Sequence, residues 1–383
     1  MNQRLKAAGF TLLELLVAMA IFLVIGGTTL GLFAQHVPLF SRQQGQASLN
    51  VQIRNSIIQL QTDVVNGGSG YVTGTDLPAG VLGVTITNSN PAIPCNDSST
   101  YVYGYACFDT LNVINAEPTV PAAHPDNGSF SPSYSTTETD CITTNAGSIF
   151  VYPPTGVTAA ALAADYDNAY TNLGETELLL INSGGTEMTT IMLNAPPSAG
   201  TKNGVPAILL SYQVTTPTGT NAAMYDPLNI SIMGNGNPMI SNSFCSEDYV
   251  LELAPITYSV DTSTPTDPEL VRTQNGVSTV LAQQVIGFKV GAMLKDVLTT
   301  CTGDLSMVTD SPLYCYDSAN DGTGYASQWT QIRAVQIALI GRTNPDPGST
   351  YTYRNSFDGG PYQIEGVSTV INPRNMSMND ADF

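Results

Sequence analysis

The sequence predicts an α+β protein: a long N-terminal helix packed on an antiparallel β-sheet head with large loop insertions. Three observations predict it. An apolar run starts at Phe10 and is long enough to form a membrane helix. Leu49, Ile53, Ile57, Leu60 and Val64 then recur at steps of three and four, the stripe of an amphipathic helix. Late in the chain Val335, Ile337 and Leu339 alternate with other residues at the period of two of a half-buried strand.

The helix comes first. Residues 1–9 form a polar leader with Arg4 and Lys6, residues 10–40 the transmembrane and assembly helix, and residues 41–66 its amphipathic continuation. Between Phe10 and Phe40 the only ionisable side chains are Glu14 and His36. Positive charge before the run and none early in it place the N-terminus on the cytoplasmic side. A secretory signal peptide would carry its small-residue cut site after the apolar stretch. Here the small residues Ala7-Ala8-Gly9 precede it, so cleavage there keeps the apolar segment on the mature chain. Glu14 is the odd residue, because a carboxylate inside a membrane helix costs about 3 kcal/mol unless it finds a partner. Gly26-Gly27-Thr28-Thr29 are poor helix formers. Pro38 is expected to kink or locally break the helix, and Gly67-Gly68 to end it.

Residues 67–383 are read as a β-rich head, with a loop-rich insertion at about 90–245. Expected strands are short ones within 71–90 (81–86 the clearest), 149–152, 177–182, 189–193, 207–214, 249–253, 257–260, 270–272, 281–290, 332–342, 362–366 and 368–371. Residues 91–147 read as loop, residues 159–170 as a short helix, and residues 217–243 as a Gly/Asn/Pro/Met-rich insertion.

Composition narrows the function. Net charge is −19, and loss of the leader's two basic residues makes it −21. Such a surface repels phosphate backbones, so nucleic-acid binding is not expected. Six cysteines in an exported chain favour disulfides. Cys95–Cys107 and Cys301–Cys315 are the local pairs, each stapling a loop, and Cys141–Cys245 follows by elimination. With no CxxC and only His36 and His124, a zinc or iron–sulfur site is not expected. The chain has no G-x-S-x-G elbow, Walker loop or HExxH, and no enzymatic role is read from it. His124 reads as a surface-loop residue. Arg272, Arg333 and Arg342 are expected to pair with carboxylates at strand ends. Asp317, Asn320 and Asp321 form a weak calcium candidate, since Ala319 replaces a ligand and no glutamate closes the loop. Asp165, Asp167 and Asn168 form a weaker one. No other cofactor is expected.

Gly9, Phe10, Thr11, Leu12, Leu13, Glu14 and Leu15 resemble the class III leader and mature start of type IV pilins and of the pseudopilins of type II secretion. The resemblance implies that a prepilin peptidase cuts between Gly9 and Phe10 and methylates the new amine. It also implies that Glu14, with Thr11, Leu12 and Leu13 around it, docks the helix on other pilin subunits, its carboxylate meeting a neighbour's Phe10 amine. The later segments YSVD (258–261), LVR (270–272), VIGFKV (285–290), WTQIRAVQIALIGR (329–342) and STVINPRN (368–375) are similar in order to PilW-type minor pilins and J-type pseudopilins. The expectation is a minor subunit that initiates or caps a type IV pilus-like filament. It would have an inner-membrane anchor and a periplasmic head that passes to the extracellular filament or its tip. The alternatives are a J-type pseudopilin of type II secretion, a major filament subunit, and a tip adhesin reading its ligand through residues 90–245.

Overall fold

The computed structural model describes residues 11–69, 83–87, 96–97, 101–103, 108–117, 119–126, 147–173, 177–181, 188–202, 204–212, 244–274, 277–294, 332–344 and 353–373. The fold is α+β, a long N-terminal helix followed by antiparallel sheets. The chain divides into two compact units, Met1–Val51 and Gln52–Phe383.

Helix α1 (Leu12–Val65) runs 54 residues without interruption. The break expected at Pro38 is absent. Proline removes one helical donor at a cost of about 3 kcal/mol, and a helix this long keeps propagating on either side of the lost bond. The paired glycines do not stop it either. Thr28 Oγ1 donates to the carbonyls of Val24 and Ile25, and Thr29 Oγ1 donates to Ile25 O at 2.7 Å. The hydroxyls are thereby satisfied within the helix itself. All five residues of the Leu49–Val64 stripe are buried. The helix ends where glycine was expected to end it: Gly67 and Gly68 follow, and Gly68 takes the left-handed conformation at φ 76°. Gly68 N–H then donates to Ile114 O.

The strands are β1 (Val84–Thr87), β2 (Asn96–Asp97), β3 (Val102–Tyr103), β4 (Thr110–Ala116), β5 (His124–Asp126) and β6 (Ser148–Tyr152). After helix α2 (Ala159–Leu173) come β7 (Glu177–Ile181), β8 (Met188–Met192), β9 (Ser198–Lys202) and β10 (Val205–Ser211). Then follow β11 (Tyr249–Asp261), β12 (Glu269–Gln274), β13 (Val277–Ala282), β14 (Val285–Leu294), β15 (Ile332–Arg342) and β16 (Ile364–Ile371). Strand β11 is the spine of the main sheet, ordered β1-β4-β11-β12-β13, with β7 and β8 joined to its first half. A second sheet runs β5-β6-β10-β9, and a third β14-β15-β16.

Three departures from the sequence reading have physical causes. First, residues 249–253 and 257–260 are one strand, carried through Pro255. On one edge, β7 pairs with residues 249–252 and β12 begins pairing at Ile256, while on the other edge β4 pairs with residues 253–258. Pro255 sits at the handover between β7 and β12, where its missing N–H breaks no ladder bond. Second, residues 281–290 are not one strand. Gln284 has φ 56°, and the chain leaves β13 there to enter β14 in a different sheet. Third, β4 lies within the stretch read as loop, yet it is central. Its asparagines weaken the strand signal. The structure uses them: Asn112 Oδ1 accepts from Thr257 Oγ1 at 2.9 Å, and Asn115 is buried. The expected strands 362–366 and 368–371 also form one strand, β16, which begins at Ile364.

Because β4 and β7 pair directly with β11, the stretch 90–245 contributes to the main sheet and is more than an appended loop. Strands β6, β7 and β10 and helix α2 close an apolar core that includes Leu162, Tyr166, Leu178, Leu180, Ile208 and Val250. Asp109 ties β4 to β14: its Oδ2 accepts from Val290 N at 2.9 Å, and Lys289 Nζ donates to Oδ1 at 3.2 Å.

Candidate assembly site

The N-terminal unit carries the candidate site. Thr11 stands just before the first helical residue, and Glu14 lies in the first turn. Thr11 N–H and Thr11 Oγ1 both donate to Glu14 Oε2 at 2.9 Å, and Glu14 N–H donates to Thr11 Oγ1 at 3.3 Å. This is a capping box: side chain and backbone satisfy each other reciprocally at a helix start. The negative charge also sits at the positive end of the helix dipole. Sequence reasoning singled out both residues but not their pairing, although the T-x-x-E spacing carried that signal. Glu14 therefore has a partner on its own chain.

Around the box the helix is apolar and open. Leu12, Leu13, Leu16, Phe22, Leu23, Leu30 and Phe40 are all exposed. Helix α1 is long and apolar enough to cross a membrane, with a mean hydropathy of 2.3 over its most apolar window.

Within the head unit, the last turns of α1 are held by polar contacts to the sheets. Asp63 accepts from Tyr258 Oη of β11 and from Arg272 Nε of β12, the latter at 2.7 Å. Burial, and then the neighbouring Asp63 carboxylate, push the Tyr258 phenol up. Gln61 Nε2 donates to Thr369 Oγ1 of β16, and Gln52 Oε1 accepts from Gln283 N. Arg272 thus pairs with a carboxylate, but on the helix and not at a strand end. Arg342 departs further from the expectation. It is 2% exposed and donates to Gln284 Oε1, Tyr101 O and Thr266 O, with its guanidinium over the Tyr103 and Tyr362 rings. Carbonyls and aromatic faces take the place of a carboxylate.

Other sequence candidates fall as follows. Gly9, Phe10, Cys95, Cys107, Cys141, Cys301, Cys315, Asp317, Asn320 and Asp321 lie outside the described residues. Cys245 is disulfide-bonded. Asp165 and Asp167 stand on helix α2, so the turn-like spacing proposed for calcium is not formed; residues two apart on a helix face different ways. His124 is in strand β5, not a loop, and its Nδ1 lies 3.0 Å from Asp248 O.

Residues 4–30 match the family described as Prokaryotic N-terminal methylation motif. No curated protein and no solved structure matches the chain. The motif match spans the capping box and most of the exposed apolar helix, and it supports a type IV pilin-like or pseudopilin-like protein.

Proposed function

We propose that this chain is a minor subunit of a type IV pilus-like filament, one that initiates or caps assembly through its N-terminal helix. The observation that carries the reading is Glu14, held by Thr11 at the start of an exposed apolar helix within the methylation motif. A prepilin peptidase cuts between Gly9 and Phe10 and methylates Phe10. The mature helix then anchors in the inner membrane with the head in the periplasm. During docking, the amine of a neighbouring subunit's Phe10 competes for the Glu14 carboxylate. A carboxylate bonded only to a hydroxyl and an amide keeps its full charge, so a cation gains more from it than the cap does. The bulky head, about 315 residues, would crowd a surface repeated along a filament, which favours the minor role. The local disulfides Cys95–Cys107 and Cys301–Cys315, with Cys141–Cys245, would brace that head.

The test is subunit counting. Quantitative mass spectrometry of purified filaments is expected to find this chain at a small fraction of the main subunit. An abundance equal to the main subunit would reject the minor role. Filament assembly at wild-type levels after deletion of the gene would reject the initiating role.

A further inference from the structure

Glu252 is an acid inside an apolar core. On β11 it follows Val250 by two residues, so both side chains take the same face of the sheet. Their cross-strand partners on β7 are Leu178 and Leu180. Val250, Leu178, Leu180 and Tyr166 of helix α2 belong to one buried cluster. Glu252 is 5% exposed, and its Oε2 has no hydrogen-bond partner among the described residues.

The charged groups that act on it give no relief. Glu117, just beyond β4, has its backbone N–H bonded to Glu252 O, and its side chain is another acid. Asp165 acts on it from α2, also as an acid. Tyr166 of α2 adds only a phenol, itself pushed up by burial and then by Glu252 and Asp165. An ionised Glu252 would be desolvated, short of a donor and faced by like charge, and each of these disfavours the charged form. Glu117, Asp165 and Glu252 do not come together as a metal-binding group. A proton is the remaining way to remove the charge.

We propose that Glu252 is a proton-operated latch in the head: protonated, it lets the core that β7 and β11 share with Tyr166 of α2 stay packed, and ionised, it loosens that core around α2. Burial first, then Glu117 and Asp165, push its carboxyl up to about 8. The sign follows. A raised carboxyl gives its full stabilisation below the unfolded value of about 4.3, loses it progressively as pH rises, and has none left above the folded value. The packed state is therefore weakest on the alkaline side.

Hydrogen exchange on the full-length protein in detergent tests this. Protection of the α2 amides, corrected for intrinsic exchange, is expected to fall at least about tenfold between about pH 6 and pH 9. Protection of the β14–β15 pair should hold over the same range. In Glu252→Gln the α2 protection should be flat, since the amide fills the same space without ionising. An equal pH dependence in both proteins would overturn the latch. Infrared spectroscopy of the wild-type protein covers the case of a variant that does not fold. A protonated-carboxyl band at neutral pH is expected, and its absence overturns the proposal. Recovery of α2 protection by added calcium at alkaline pH would also overturn it, by assigning the acids to a cation.

Discussion

Asp63 and Arg272 form an ion pair of 2.7 Å between the last turns of helix α1 and strand β12, and Tyr258 donates to the same carboxylate oxygen. The pair is largely shielded, with side-chain exposures of 10% and 18%. Removing the carboxylate strands both of these donors, and also the Gln59 amide that donates to its other oxygen at 3.3 Å. Asp63→Ala is expected to destabilise the head by about 3 kcal/mol, more than Arg272→Ala, since the arginine can reach toward water. Thermal unfolding of the two variants checks the order. A smaller loss for Asp63→Ala than for Arg272→Ala would mean that Tyr258 contributes nothing.

Glu14 is asked to do two things, and one substitution separates them. Glu14→Gln keeps a side chain that can close the capping box but removes the charge. It should enter the membrane and be processed normally, yet fail to incorporate into filaments. Glu14→Ala should lose the cap as well, at about 1 kcal/mol of local helix stability. Immunoblots of membrane and filament fractions read both. Normal incorporation of Glu14→Gln would remove charge pairing from the account.

Gly83 meets the end of the helix at the closest range. A Cβ built there would stand 2.5 Å from Gly68 N and 2.8 Å from Gly67 C, both backbone atoms. No side chain can turn aside to make room. Gly83→Ala should cost about 2 kcal/mol or more, as overpacking against a fixed backbone does. Gly200→Ala, where nothing lies within 4 Å, is the control and should be near neutral. Urea midpoints of both variants provide the comparison.

Asp358 sets an acid limit. Burial raises its carboxyl, but donors from Tyr103, Tyr362, Gly360 and Asn355 outweigh this and hold it below the usual carboxylate range. A lowered carboxyl stabilises above its unfolded value and loses that stabilisation as pH falls through the folded value. Wild-type stability should therefore drop below about pH 4. Asp358→Asn should be weaker at neutral pH and show a shallower acid dependence. Parallel acid profiles would count against the cluster.

The disulfide at Cys245 can be assigned directly. Non-reducing peptide mapping is expected to join it to Cys141, leaving Cys95–Cys107 and Cys301–Cys315 as local loops. A peptide linking Cys245 to a cysteine of either local pair would break that pair and leave its other cysteine for Cys141.

Local patterns carried most of the secondary structure. The Leu49–Val64 stripe, the Gly67-Gly68 stop and the alternation in residues 332–342 each depend on residues within a few turns of one another, so they were legible without a fold. The capping box was legible in the same way, as a T-x-x-E spacing at a helix start. The misreadings arose where a distant strand decided the outcome. Pro255 is tolerated because β7 and β12 exchange places beside it. Gln284 adopts φ 56° where two sheets meet, and its side chain bonds Arg342, Thr266 and Asp267.

The sequence by itself determined the long apolar helix, its N-terminal methylation motif and the acid near its start, because period, charge and residue order are local properties. Only the tertiary structure decided that β4 is a core strand, that Asp63 meets Arg272 across 209 positions of chain, and that Glu252 is buried with its Oε2 unpartnered among the described residues. Strand neighbours and burial arise from contacts between residues far apart in sequence. No short window of sequence specifies which distant face a carboxylate will be closed against.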